Sequence, residues 1–351
     1  MFRNQARFLA NQKAKEYSSE ALVFPQKIRV SLGSAIILGL LEGKLDAEPT
    51  TAYLMTYKSG KCTANCGFCP QARSSQSRTE MLSRVTWPVF PTSNVLERLA
   101  HEIGRVKLKR VCVQALNYPE VLCEVSSLVK KLKQNVSVQV SVSCQPLVSD
   151  NLWLLSKAGV DRVGIALDAA TRKLFSAVKG ANAGGPYDWE NQFKLLRAAI
   201  GVFGEGSVST HLIVGLGETE IEAASLIQKC VDMGVLPALF AFTPIEGTAL
   251  AACPPPKVGV YRRVQLARYL IVNGLARIED TSHDADGRIT DFGISKTSLV
   301  TIVESGEPFL TSGCADCNRP FYNEKPSGPI YNYPRPIRQN EIAKIKQQLE
   351  V

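Results

Sequence analysis

Cys62, Cys66 and Cys69 lie in the run Lys61-Cys-Thr-Ala-Asn-Cys-Gly-Phe-Cys-Pro70. The spacing is C-x3-C-x2-C, and an aromatic residue, Phe68, stands directly before the third cysteine. Three thiolates this close suit three irons of a cubane [4Fe–4S] cluster, with the fourth iron left to bind a small molecule. Structural zinc takes four protein ligands, commonly in two separated pairs, so zinc or cysteines together by coincidence is the competing reading. A second pair, Cys314 and Cys317, forms a C-x2-C in Thr311-Ser-Gly-Cys-Ala-Asp-Cys-Asn-Arg-Pro320. Cys112 and Cys144 fall within and at the end of β-branched runs. Cys123 and Cys230 fall in helical patterns and read as packed core thiols. Cys253 precedes three prolines and has no obvious partner. With only three histidines, His101, His211 and His283, a His-rich metal site is not expected.

The elements that must position these residues alternate. Candidate strands are Thr51–Tyr57, Arg110–Ala115, Ser137–Ser143, Arg162–Leu167, Ser207–Val214 and Leu236–Thr243. Helical stretches lie between them at Ser93–Val106, Pro119–Gln134, Asp150–Ala158, Trp189–Phe203 and Glu218–Gly234. This alternation predicts parallel βαβ units, and the continuous apolar character of the strands predicts burial on both faces. At least six units predict an α/β fold, a full or partial (β/α) barrel, more than an open doubly wound sheet. The triplet follows the first strand and so sits at a strand's C-terminal end, the catalytic face of such a barrel. The expected organisation is a helical leader (1–50), a barrel core (51–275) and a C-terminal extension (276–351). The extension opens near the helix Val258–Asn273. Its Pro308–Leu310 run is expected as a last barrel strand. The Pro/Asn/Tyr-rich tail Pro320–Pro336, read as a cover for the barrel mouth or an ordered surface tail, leads to a polar terminal helix.

Composition bounds the rest. Of 351 residues, 45% are hydrophobic and 21% charged, which excludes a disordered chain. Residues 1–20 are polar and charged, with no apolar core of a secretory signal, and Ala35–Leu41 is too short to span a bilayer. The expectation is a cytoplasmic protein with no membrane association. Ten cysteines in a reducing compartment then point to metal binding or catalysis more than to disulfides. The net charge of +9 favours an acidic partner, and its competing reading is a solvated basic surface.

At the triplet the chain resembles the radical S-adenosylmethionine (SAM) superfamily. The resemblance implies that Cys62, Cys66 and Cys69 hold a [4Fe–4S] cluster whose open iron chelates the amino and carboxylate groups of SAM. It implies that reductive cleavage of SAM yields a 5′-deoxyadenosyl radical that takes a hydrogen atom from the substrate. It also places Phe68 near the adenine. Cys69-Pro-Gln71 is similar to the biotin-synthase-like branch. His211-Leu-Ile213-Val-Gly215-Leu-Gly-Glu218 resembles the fifth-strand motif G-x-I-x-G-x-x-E, which puts Ile213 and Gly215 at the adenine; His211 replaces its first glycine. Alone, this run reads as an ordinary strand-to-helix turn. Asp168 matches an acidic residue near the SAM ribose in biotin synthase, although a lone Asp at a strand end is as often a helix cap. Ala166 stands where that enzyme has a substrate-binding Asn. The similarity covers roughly residues 50–275.

Cys112, Cys144, Cys314 and Cys317 would together satisfy a second cubane if all four project into one barrel cavity. In biotin synthase, the cysteines matching Cys112 and Cys144 help hold a sulfide-donating [2Fe–2S] cluster, and its third cysteine aligns with Ser209. The tail pair is expected to replace the missing ligands and change the cluster to [4Fe–4S]. The competing reading leaves Cys112 and Cys144 as core thiols and gives the tail pair zinc or nothing. A sacrificial cluster beside a radical generator implies conversion of C–H to C–S. The arrangement most resembles the archaeal two-component lipoyl synthase proteins. That resemblance implies a sulfurtransferase acting on the octanoyl-lysyl chain of an acidic lipoyl carrier domain, with an electron donor and a second radical SAM protein as partners. The alternative enzymes are biotin synthase and a radical SAM maturase of a metal cofactor. A zinc-stabilised, basic nucleic-acid-binding protein is the alternative of another class, and no aromatic–basic recognition motif in the sequence favours it.

Overall fold

The computed structural model describes residues 24–146 and 148–350. The described chain opens with β1 (Lys27–Val30), turns through the short helix α1 (Leu32–Ile37) and returns as β2 (Thr51–Thr56). A small hairpin, β3 (Met81–Leu82) and β4 (Val85–Thr86), precedes β5 (Val89–Pro91). Strand and helix then alternate through α2 (Thr92–Glu102), β6 (Arg110–Gln114), α3 (Val121–Asn135), β7 (Gln139–Ser143) and α4 (Asp150–Lys157). The pattern continues through β8 (Arg162–Gly164), α5 (Arg172–Val178), α6 (Trp189–Phe203), β9 (Val208–Val214), α7 (Glu220–Asp232), β10 (Leu236–Ala241) and α8 (Val258–Val272). A second small hairpin, β11 (Ser282–His283) with β12 (Ile289–Asp291), and the helices α9 (Lys296–Ser305) and α10 (Gln339–Leu349) complete it.

One sheet of eight strands runs in the order β10-β9-β8-β7-β6-β2-β1-β5. Its six strands from β10 to β2 are parallel. β1 is antiparallel to both β2 and β5. This is the expected α/β architecture: a partial barrel, with no pairing recorded between β10 and β5. Every residue of β2 is buried, as strands covered on both faces require. The helices lay apolar stripes against the sheet; in α3 the stripe is Val121, Leu122, Val125, Leu128, Val129 and Leu132. Helix starts follow the capping rules. Asp188 accepts from the Asn191 amide at 2.9 Å, and Thr219 with Glu222 forms a capping box on α7.

Two expectations change, and the tail takes one of its two expected forms. Residues 1–23 of the expected helical leader lie outside the described residues, and residues 27–30 form a strand whose Ile28 and Val30 pack into the core. The expected strand at Pro308–Leu310 is a 3-10 turn, Glu307–Phe309, followed by a single bridge from Leu310 to Tyr333. Pro308 has no N–H for a ladder, and its fixed φ suits a first helical turn. The tail is ordered against the barrel. The Ser312 hydroxyl accepts from the β10 amide of Leu239 at 2.8 Å, and Asp316 pairs with Lys109 at 2.8 Å. Arg84, in the β3–β4 turn, donates to the carbonyls of Phe321 and Glu324, each at 2.8 Å. The tail thus bridges β10 to the far side of the sheet. Behind it the buried Arg262 guanidinium donates to the Tyr331 carbonyl at 2.6 Å and lies between the Phe309 and Tyr333 rings. Among the described residues no helix is long and apolar enough to cross a membrane.

Candidate active site

The loop after β2 carries Cys62, Cys66 and Cys69, and backbone contacts set its shape. The Cys62 amide donates to the Gln71 carbonyl at 2.9 Å, and the Cys69 amide to the Cys66 carbonyl at 3.0 Å. Lys61 donates to the carbonyls of Pro70 and Ser77, and the buried Gln71 amide to those of Thr79 and Met81. Gly247 closes against this loop with φ +81°; a Cβ there would lie 2.5 Å from the Ser77 nitrogen, so only glycine fits.

All three cysteines line a cavity of about 190 Å³ at the C-terminal ends of the strands, together with Phe68, Asp168 and Ile213. Gly215 is not on that wall. It holds the turn after β9 at φ +107°, where its amide donates to the Glu218 carboxylate at 2.6 Å. Asp168 adopts φ +65°, an unusual conformation for a side chain larger than glycine. Its backbone bonds to His211 and Ile213 on β9, each at 2.8 Å, and hold it there. Its carboxylate meets Lys179 at 2.7 Å. Lys179 is fully buried under the rings of Phe175 and Tyr187. Sequence reasoning missed this lysine, since nothing in its spacing from Asp168 marks a pair brought together by α5. The two groups offer a cation for an anionic ligand group and an acceptor for hydroxyls.

Burial pushes the Cys69 thiol up to about 12 and holds Cys66 well above its ordinary value. Such thiols ionise readily only when a metal centre takes the proton's place. Among the described residues no three His, Cys, Asp or Glu side chains converge on a single ion position. Three thiolates on one loop line one cavity, and a cubane offers a separate iron to each, so the donor set fits the cluster.

A second cavity, of about 500 Å³, adjoins the first inside the barrel and shares Gln114, Ser143, His211, Phe240 and Tyr322 with it. Cys112, Cys314 and Cys317 line it, beside Ser141, Ser209 and Arg319. Burial, then the nearby charge of Cys314 and Cys317, pushes the Cys112 thiol up. Cys144 does not join them. It lies one residue past β7 and lines the first cavity, beside the triplet. The register explains the correction. Cys112 pairs with Ser141, and Cys144 stands three residues further along the chain, past the end of β7, where it lines the cavity of the triplet. Pairing β6 to β7 by their apolar patterns is the signal that identifies Ser141. The aromatic pair His211 and Phe240, with ring centroids 4.8 Å apart, stands on the wall common to both cavities. Burial lowers the His211 pKa to about 4, so the imidazole there is neutral.

Comparison with known proteins agrees with this geometry. Residues 56–230 match the radical SAM superfamily. A biotin synthase of Persephonella marina is 25% identical over 204 residues, which is 56% of this chain and 56% of the relative. A biotin synthase of Anaeromyxobacter sp. is 26% identical over 230 residues, 62% of this chain and 60% of the relative. The chain thus spans less than two thirds of the length of these relatives. Among solved structures, methylornithine synthase (PylB) superposes with a TM-score of 0.48 at 14% identity, covering 62% of each chain. HydG, a maturase of the [FeFe]-hydrogenase, superposes at 0.49 and 15% identity, covering 63% of this chain and 50% of its own. The cysteine triplet falls inside the segment, residues 56–230, that matches the radical SAM superfamily, on the loop after the first parallel strand.

Proposed function

We propose that this protein is a radical SAM sulfur-insertion enzyme that converts C–H to C–S on an acyl chain, in the manner of a lipoyl synthase acting on an octanoyl-lysyl group. The observation that carries the reading is the adjacency of two thiol sites in one barrel. Cys62, Cys66 and Cys69 line one cavity, Cys112, Cys314 and Cys317 the next, and five residues form their common wall. When bound, the first cluster with SAM supplies a hydrogen-abstracting radical and the second supplies sulfur. The chain's own residues do the rest. Lys179 and Asp168 fix the polar ends of the cofactor, Phe68 and Ile213 pack on its flat part, and the tail residue Tyr322 helps to keep water from the junction. A lipoyl carrier domain is acidic in character and suits the +9 charge of this chain.

The biotin synthase relatives favour a second reading, sulfur insertion into a small free substrate. Ser209 in place of that enzyme's third cysteine, and the extra Cys314/Cys317 pair beside Cys112, weigh against it. The experiment offers reconstituted protein either an octanoylated carrier domain or dethiobiotin, with SAM and reductant, and follows sulfur incorporation by mass spectrometry. Mass gain on the carrier supports the first reading, and gain on dethiobiotin alone replaces it. Cys314→Ala or Cys317→Ala is expected to leave SAM cleavage intact and stop sulfur transfer. Wild-type product yield from either variant removes the tail pair from the chemistry.

A further inference from the structure

Tyr53, Cys112 and Ser141 are register partners on β2, β6 and β7, so they form one row across the sheet, and all three line the larger cavity. The tail lays Cys314 and Cys317 against this row. Each of the three sulfurs then meets one donor. Gln114 Nε2 lies 3.1 Å from Cys112 Sγ, the Tyr53 hydroxyl 3.2 Å from Cys317 Sγ, and Ser141 Oγ 3.9 Å from Cys314 Sγ. Both hydroxyls are also held from behind. Tyr53 accepts from the Arg319 amide at 3.0 Å, and Ser141 accepts from Arg110 Nη1 at 3.0 Å. As cluster ligands the two sulfurs would be thiolates without a proton, so each hydroxyl would be the donor. Donors aimed at ligand sulfurs are the outer shell of an iron–sulfur site, and random packing of core thiols does not produce three of them.

The thiolates stop at three. Cys62, Cys66, Cys69 and Cys144 line the other cavity, Cys123 and Cys230 sit on α3 and α7, and Cys253 is exposed. Arg319 lines the same cavity, and Arg110 donates to Ser141 beside it at 3.0 Å. They favour an anion beside the set.

We propose that Cys112, Cys314 and Cys317 hold an iron–sulfur cubane by three thiolates, and that its fourth coordination position takes a small sulfur anion, hydrosulfide or a low-molecular-weight thiolate, in place of a fourth side chain. This rests on the second iron–sulfur group of the sulfur-insertion reading and names the class of its sulfur-bearing co-substrate.

The test uses the Cys62/Cys66/Cys69→Ala variant, reconstituted anaerobically with ⁵⁷Fe, desalted and reduced. Iron is counted, and Mössbauer and EPR spectra are recorded before and after addition of sodium hydrosulfide. The expected result is about four irons per chain, one of them spectroscopically distinct, and an EPR change complete near one equivalent of hydrosulfide. Four irons with no response to hydrosulfide overturn the open position. In that case loss of the distinct iron signal in His211→Ala or Ser141→Ala identifies the side chain that fills it. Absence of iron overturns both this inference and the second cluster itself. If the triple variant does not fold, wild-type protein saturated with SAM gives the same readout, because SAM occupies the open iron of the first cluster. A hydrosulfide-dependent change there supports the inference, and an unchanged spectrum overturns it.

Discussion

His211 stands on β9, on the wall common to both cavities, and its burial lowers its pKa to about 4. An unfolded histidine titrates near 6.5. Below that value the unfolded chain binds a proton that the folded chain refuses, so the unfolded state gains. The contribution of the neutral imidazole is complete above about pH 6.5, and it is lost as the pH falls towards 4; the difference amounts to about 3 kcal/mol at most. Denaturant unfolding of cluster-free protein at pH 7, 5.5 and 4.5 is expected to show this loss in the wild type and a shallower one in His211→Gln. Equal slopes would mean that folding does not lower the His211 pKa. Tyr53 offers a second test at the same scale. Tyr53→Phe removes one hydroxyl near Cys317 and leaves the ring packed against the core. A lost donor to a ligand sulfur destabilises the reduced cluster. Redox titration is expected to show a lower potential for the second cluster at unchanged iron content, and an unchanged potential assigns Tyr53 to packing alone.

Elements hold these residues in place through a few buried ties. Glu220, in the first turn of α7, accepts from Arg263 of α8 at 2.9 Å and 2.7 Å and from the Ile289 amide of β12 at 2.9 Å. Both side chains are less than a tenth exposed. Glu220→Ala strands the Arg263 charge in the interior, and removal of one partner of such a pair costs about 3–5 kcal/mol. Chemical denaturation is expected to show a loss of that size, while the double variant Glu220→Ala/Arg263→Met recovers part of it. A single-variant loss below about 1 kcal/mol would place the pair in water. The parallel strands and their helices were legible in the sequence because short continuous apolar runs alternate with longer helical patterns. The triplet was legible because its ligands are adjacent in the chain. β1 and β5 were not, since four- and three-residue strands offer too few positions for a pattern. The cavity that Cys144 lines, and the parts of Tyr53, Gln114 and Lys179, were not legible, because their grouping depends on register and on α5 packing. Composition does not carry that information.

The whole molecule sets two adjoining thiol-lined cavities in one barrel, with the tail laid from β10 to the β3–β4 turn. On the proposed reading the acyl chain would arrive on a carrier recognised by charge as well as by that chain. The net charge of +9 provides long-range attraction to an acidic domain. Such attraction is screened within about 10 Å at 0.1 M salt, while contacts inside the barrel are screened far less. Raising the salt from about 0.05 to 0.3 M is therefore expected to raise the KM for an octanoylated carrier several-fold, with kcat little changed. An octanoyl-lysyl peptide without the acidic domain serves as the control, and its kinetics should respond weakly. If carrier and peptide respond alike, the basic surface plays no part in docking. If turnover of the carrier is absent at every salt concentration while a small free substrate reacts, the macromolecular partner is dropped and the reading passes to the biotin synthase type.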